Sequence, residues 1–157
     1  MSLTVIGTLA YDTIETAHDK REEILGGSAV YFSLASSCFS PTALVGVVGE
    51  DFLPAHIEAM ESAGIDLAGL EIAQGSTFRW SGRYEADWNT RHTLDTQLNV
   101  LEHFDPKVPE VHQGARYVFL ANASPTVQAR GLDQITDPVF VMMDTMNLWI
   151  DIARDEL

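Results

Sequence analysis

The chain is short of cysteine, of basic residues and of long apolar runs, and each shortage removes a class of protein. Only one cysteine, Cys38, occurs in 157 residues. A lone thiol makes no intrachain disulfide and suits a reducing compartment, so a cytoplasmic location is expected. Nine Lys and Arg face 23 Asp and Glu, for a formal charge of −14. Such a field repels phosphate backbones and no basic stripe reverses it locally, so no nucleic-acid partner is expected. No apolar stretch reaches the roughly 18 residues of a membrane span. Met1-Ser2-Leu3 lacks the basic region and apolar core of a secretory leader, so no membrane partner is expected. His18, His56, His92, His103 and His112 show no metal-ligand spacing, and no nucleophile pattern accompanies them. Neither a metal centre nor a hydrolytic triad is expected from them.

What the chain does have is a pattern repeated four times. A short apolar, β-branched run ends and a polar or Gly-rich cluster follows. Thr4-Val5-Ile6-Gly7 leads to Asp12, and Ala43 to Val48 leads to Gly49-Glu50-Asp51. Tyr117 to Leu120 leads to Asn122, and Val139 to Met143 leads to Asp144 and Asn147. Runs of this kind predict buried parallel strands. In an open α/β sheet, ligands bind outside the carboxyl ends of the strands, where these polar residues fall. Helices are predicted between the strands. One opens at Gly26-Gly27-Ser28, with Ser28 as N-cap, and runs to about Phe39, which places Cys38 in an apolar, buried pattern. Others cover Phe52 to Ala63, Ser124-Pro125 to about Ile135, and Leu148 to Leu157.

Two β excursions interrupt this alternation. Thr77 to Tyr84 alternates with period two, Ala86-Asp87-Trp88-Asn89 is turn-like, and Leu94-Thr96-Leu98-Val100 alternates again. Residues 14–24 form a weaker excursion after the first strand. Together, segments 14–24 and 77–101 predict a small secondary sheet placed over the site as a lid. On the hairpin Phe78, Trp80 and Tyr84 share one parity, while Arg79 and Arg83 lie opposite.

The ordered set of strand, Asp12, Gly26-Gly27 opening a helix, Val45-Gly46-Val47-Val48-Gly49-Glu50-Asp51, β lid, and Asn122-Ala123-Ser124-Pro125 resembles the PfkB-type, or ribokinase-like, carbohydrate kinases. The late Asp144-Thr145-Met146-Asn147-Leu148-Trp149 fits the same style. The resemblance implies a three-layer α/β/α fold with a mostly parallel central sheet and a β lid. It also implies phosphoryl transfer from ATP, with Mg2+, to a hydroxyl of a sugar or nucleoside, in a protein that dimerises through the lid. It carries acceptor contacts onto Asp12, Gly26, Gly27, Ser28, Arg79 and Asn122, and phosphate-side contacts onto Asp144 and Asn147. The family's Gly-Ala-Gly-Asp-type anion loop and its Asn-x-x-Glu motif do not occur between Met1 and Leu157. Residues 1–157 are therefore expected to be the N-terminal part of one kinase domain, supplying acceptor site and lid but no catalytic residue. The alternative is a non-catalytic sugar- or nucleoside-binding module. Ala10 and Val30-Tyr31 stand where many sugar kinases carry polar residues, which shifts the expected acceptor toward a nucleoside or a less polar sugar.

Overall fold

The computed structural model describes residues 2–157. Strands β1 (Leu3–Ile6), β4 (Thr42–Gly49), β5 (Ile65–Ala73), β8 (Tyr117–Leu120) and β9 (Phe140–Met143) form a wholly parallel sheet in the order β5-β4-β1-β8-β9. β4 is buried along its entire length. That is why its sequence is a continuous apolar run: a parallel strand with helices on both faces has no solvent side to mark with polar residues. Helices α1 (Ser28–Ser37) and α2 (Pro54–Ser62) cover one face, where Val30 and Met60 pack with Val5, Leu44 and Val48. On the other face Ile6, Val45, Val47 and Val118 pack with Phe104, Val108 and Ile135, beside α3 (Pro125–Leu132). The helix α4 (Asn147–Ile152) follows β9. This is the helix-covered parallel sheet expected from the alternation, in the three-layer arrangement that the resemblance implies.

The lid is a second sheet in the order β3-β2-β6-β7, from β2 (Ala10–Glu15), β3 (Lys20–Gly26), β6 (Arg79–Tyr84) and β7 (Arg91–Gln97). β2 and β6 pair in parallel and join two hairpins far apart in the chain. Its root is clasped to the main body. Asp51 accepts from the backbone N–H and the hydroxyl of Thr77, both at 2.7 Å, and Thr77 is fully buried. Burial alone would push the Asp51 carboxyl up, but the two Thr77 donors and the Arg79 guanidinium outweigh it and hold it below its ordinary value.

Three expectations need correction. Cys38 is exposed and Phe39 is 91% exposed, because α1 stops at Ser37 and its inward face is made of Ala29, Val30 and Ser33, with Phe32 and Leu34 packing beside them. The N-cap of α1 is Gly27, and Ser28 is its first helical residue. β5 was not foreseen. It is an edge strand with several exposed positions, interrupted by Gly69 near a register shift, so it shows neither a continuous apolar run nor clean alternation.

At the other edge, among the described residues β9 pairs only with β8, and all four of its residues, Phe140, Val141, Met142 and Met143, are exposed rather than buried as their apolar run predicts, because no further strand or helix covers this edge. An apolar edge strand with unpaired backbone groups is a template for association. The chain is expected to self-associate with rising concentration, and Val141→Lys is expected to suppress it. Sedimentation that is independent of concentration for the unsubstituted chain would contradict this.

Candidate functional site

A cavity of about 260 Å³ lies between the lid and the carboxyl ends of β1 and β8. After Ile6 the chain leaves the main sheet through Thr8 and Leu9 and enters β2, which carries Asp12 into the lid rather than leaving it at the end of β1. Thr8 is buried, and its hydroxyl donates to the carbonyl of Asn122. The backbone N–H of Ala29 donates to the carbonyl of Thr8 at 3.2 Å. These bonds bring the start of α1, the end of β1 and the loop after β8 to one point.

Asp12, Trp80 and Thr96 occupy one cross-strand row, and all three line the cavity. The Asp12 carboxylate accepts no hydrogen bond from the described residues. Burial raises its pKa from 3.8 to about 6. Gly26 lies beneath it: a Cβ there would stand 2.2 Å from Asp12 Oδ2, so a side chain would displace the carboxylate. Gly27 lines the cavity at φ 96°, and a Cβ on it would approach the Thr8 carbonyl oxygen to 2.3 Å. Backbone therefore forms this part of the wall.

Ser28 ties the floor together. Its hydroxyl oxygen accepts from the Asn122 backbone N–H at 2.8 Å, and the hydroxyl favours the charged form of the Asp144 carboxyl. Burial lifts the Asp144 carboxyl above its ordinary value, against the opposing pull of Ser28 and of the Asn122 and Asp144 amides. The Asn122 side-chain nitrogen donates to Met146 Sδ at 3.2 Å. Asn122 Oδ1, Asp144 Oδ1 and Trp149 Nε1 are all buried with no partner among the described residues. Of these, Asn122 and Trp149 line the cavity. Orphaned buried polar atoms are rare and usually await a ligand or water.

The structure thus brings Asp12, Gly27, Ser28 and Asn122 to the cavity wall, with Gly26 and Asp144 directly behind it. It does not bring Asn147 there, which is an exposed first residue of α4. Nor does it bring Arg79, whose phase on β6 puts it on the opposite face of the lid. There its guanidinium bonds Asp51 at 2.8 Å and Glu23 at 3.0 Å and lies 5.5 Å from the Tyr11 ring centroid. Sequence reasoning missed Arg91, Met146, Leu148 and Trp149 as wall residues.

A pH dependence follows from Asp12. Its folded pKa lies above its unfolded value, so charging it in the empty protein costs stability, and the cost appears as pH rises through the window from about 4 to about 6. Asp12→Asn is expected to melt higher than the unsubstituted chain at about pH 7.5, with the gap closing near pH 4. Equal melting temperatures across the range would show that Asp12 is not desolvated.

Among the described residues no three His, Cys, Asp or Glu side chains gather as a metal site. Within the cavity wall only Arg91 is a permanent cation. The residues present do not fit a magnesium–triphosphate group.

No protein-family model matches the chain, and no curated protein is significantly similar to it. Solved structures are similar in fold. A nucleoside kinase of Methanocaldococcus jannaschii, an archaeal member of the ribokinase family, superposes with a TM-score of 0.74 at 14% identity over 99% of this chain and 56% of that one. A Burkholderia thailandensis nucleoside kinase in complex with inosine gives 0.70 at 12% identity, over 90% and 50% of the two chains. An Arabidopsis thaliana ribokinase complexed with ribose and ATP gives 0.67 at 15%, over 90% and 52%. The chain spans about half the length of these proteins. At such identities the likeness is one of architecture, and the architecture of this chain, parallel sheet and β lid together, is the ribokinase-like kinase fold.

Proposed function

We propose that this chain forms the acceptor side of a kinase that transfers a phosphoryl group from ATP to a hydroxyl of a sugar or nucleoside. The observation that carries the reading is the Asp12 carboxylate. It is partly buried, takes no hydrogen bond from the described residues, and faces a half-open cavity beneath the lid. A carboxylate offers about four acceptor sites, and vicinal hydroxyls can satisfy two of them. Aromatic and aliphatic walls from Phe78, Trp80, Tyr84 and Leu98 meet the carbon face of a sugar or a base.

The chain's part is binding and orientation. Asp12 takes hydroxyl protons into hydrogen bonds, backbone at Gly27 lets the acceptor approach closely, and the lid excludes water. ATP would supply the phosphoryl group. A second reading, a sugar- or nucleoside-binding module without transfer, is favoured by the lack of a phosphate cradle among the described residues.

Trp80 and Trp149 both line the cavity, so ribose or inosine is expected to change the tryptophan fluorescence of residues 1–157 in a saturable way. ATP-dependent phosphorylation by residues 1–157 alone is expected to be undetectable. Absence of binding would overturn the acceptor-site reading. Robust turnover would overturn the assignment of phosphoryl chemistry to residues outside those described.

A further inference from the structure

The lid carries an unpaired cation. Its other basic side chains each meet a carboxylate: Lys20 with Glu22, Arg21 with Asp19, Arg79 with Glu23 and Asp51, Arg83 with Glu15. His92 likewise contacts Glu85. Arg91 has no carboxylate partner among the described residues, yet it is a cavity wall residue in a chain of net charge −14.

Its position is built. Between Ser81 and Gly82 the β6–β7 register skips Leu94, so Thr93 faces Gly82 and Arg91 faces Tyr84. The bulge turns odd-numbered residues of this end of β7 toward the cavity, on the same face as Trp80. The Trp80 ring lies along the lid over Gly82, where a Cβ would stand 2.0 Å from it, and its Nε1 donates to Thr93 Oγ1 at 3.3 Å. The Arg91 guanidinium carbon sits 5.6 Å from the centroid of this fixed ring. A cation on an aromatic platform is held without being neutralised, and its planar fork stays open to an anion. Asp12 faces Trp80 and Arg91 faces Tyr84, four residues further along β6, so the two rows lie roughly 13 Å apart along the strand.

We propose that Arg91 recognises an oxyanion, a phosphate monoester or a carboxylate, carried by the acceptor at the end away from Asp12. The acceptor is then an anionic sugar, with hydroxyls on Asp12 and the anion on Arg91. This rests on the acceptor-site reading above and adds a substrate class to it.

Calorimetry on the whole chain with ribose, ribose 5-phosphate, ribonate and inosine tests the proposal. One of the two anionic sugars is expected to bind at least about tenfold more tightly than ribose or inosine, and which one does so separates the phosphate from the carboxylate. In Arg91→Met the ratio of anionic to neutral affinity is expected to collapse toward one, with the melting temperature held because the residue lies on an exposed edge strand. Equal affinities for anionic and neutral sugars, or a preference that survives Arg91→Met, would overturn the role of Arg91. If Asp12→Asn abolishes ribose binding in that case, the acceptor site itself stands. If anionic sugars bind through Arg91 regardless of Asp12→Asn, the acceptor-site reading falls instead. If none of the four compounds binds, both are overturned.

Discussion

Replacing Asp12 by alanine is expected to lower affinity for a hydroxylated acceptor by on the order of a hundredfold or more. Hydrogen bonds to a charged acceptor contribute roughly 1.5–3 kcal/mol each. Two of them, lost together, correspond to about two orders of magnitude in Kd or beyond. The loss should not come with a loss of folding, because this carboxylate is bonded to no described residue and its burial works against the charged form. The binding of the unsubstituted chain should also strengthen as pH rises through about 6, since the ionised carboxylate is the form that accepts. Titration calorimetry at two pH values, with melting curves alongside, checks all three expectations. Unchanged affinity with a large fall in melting temperature would mean that Asp12 is a structural residue and that the acceptor lies elsewhere.

Gly27→Ala is expected to have the largest effect on stability of any single methyl addition in the site. The position has φ 96°, which disfavours any side chain, and the added Cβ would meet the Thr8 carbonyl oxygen at 2.3 Å and Leu9 Cα at 2.8 Å. Both obstacles are backbone, so no rotamer change relieves them. Strained backbone alone costs of order 1–3 kcal/mol, and the overlap must move the β1–β2 crossing or the start of α1 as well. A total of about 3 kcal/mol or more would lower Tm by roughly 6–12 °C for a chain of this size. The comparison is Gly64→Ala, where φ is 79° but nothing lies within 4 Å of the new Cβ. It should cost only the conformational part. Equal losses at the two positions would remove the claim that the Thr8 backbone is what demands glycine at 27.

The central strands were legible because burial on both faces writes itself as an unbroken apolar run, and β1, β4 and β8 are of that kind. The lid was legible from the period-two alternation of β6. That same alternation already separates Arg79 from Trp80, and the structure follows the phase rather than the family pattern. Phase also explains the failure on β7. Leu94 continues the even-numbered series with Thr96 and Leu98, but it is the bulged residue and is 47% exposed, and beyond it the inward parity reverses. A bulge leaves no compositional mark here, so Arg91 could not be placed from sequence. Ser28 fits the residue preferences of an N-cap, yet Gly27 takes that position because the Thr8 carbonyl leaves it no room for a side chain. The wall residues Met146, Leu148 and Trp149 follow β9 in a segment whose apolar residues resemble an ordinary helix start.

The parallel pairing of β2 with β6 has a kinetic consequence. Glu15 and Arg83, which bond across it, are 68 residues apart, and the intervening chain contains β4, α2 and β5. Closing a loop of that length without the sheet already in place costs entropy that a few lid hydrogen bonds return late. The body of the molecule therefore has reason to assemble first, and the cavity comes into being only with the last strand addition. Amide hydrogen exchange should reveal this order as two tiers of protection, low along β2 and β6 and high along β1 and β4. A bound acceptor would slow exchange in the lower tier most, because the lid's opening is the one fluctuation that its presence directly opposes.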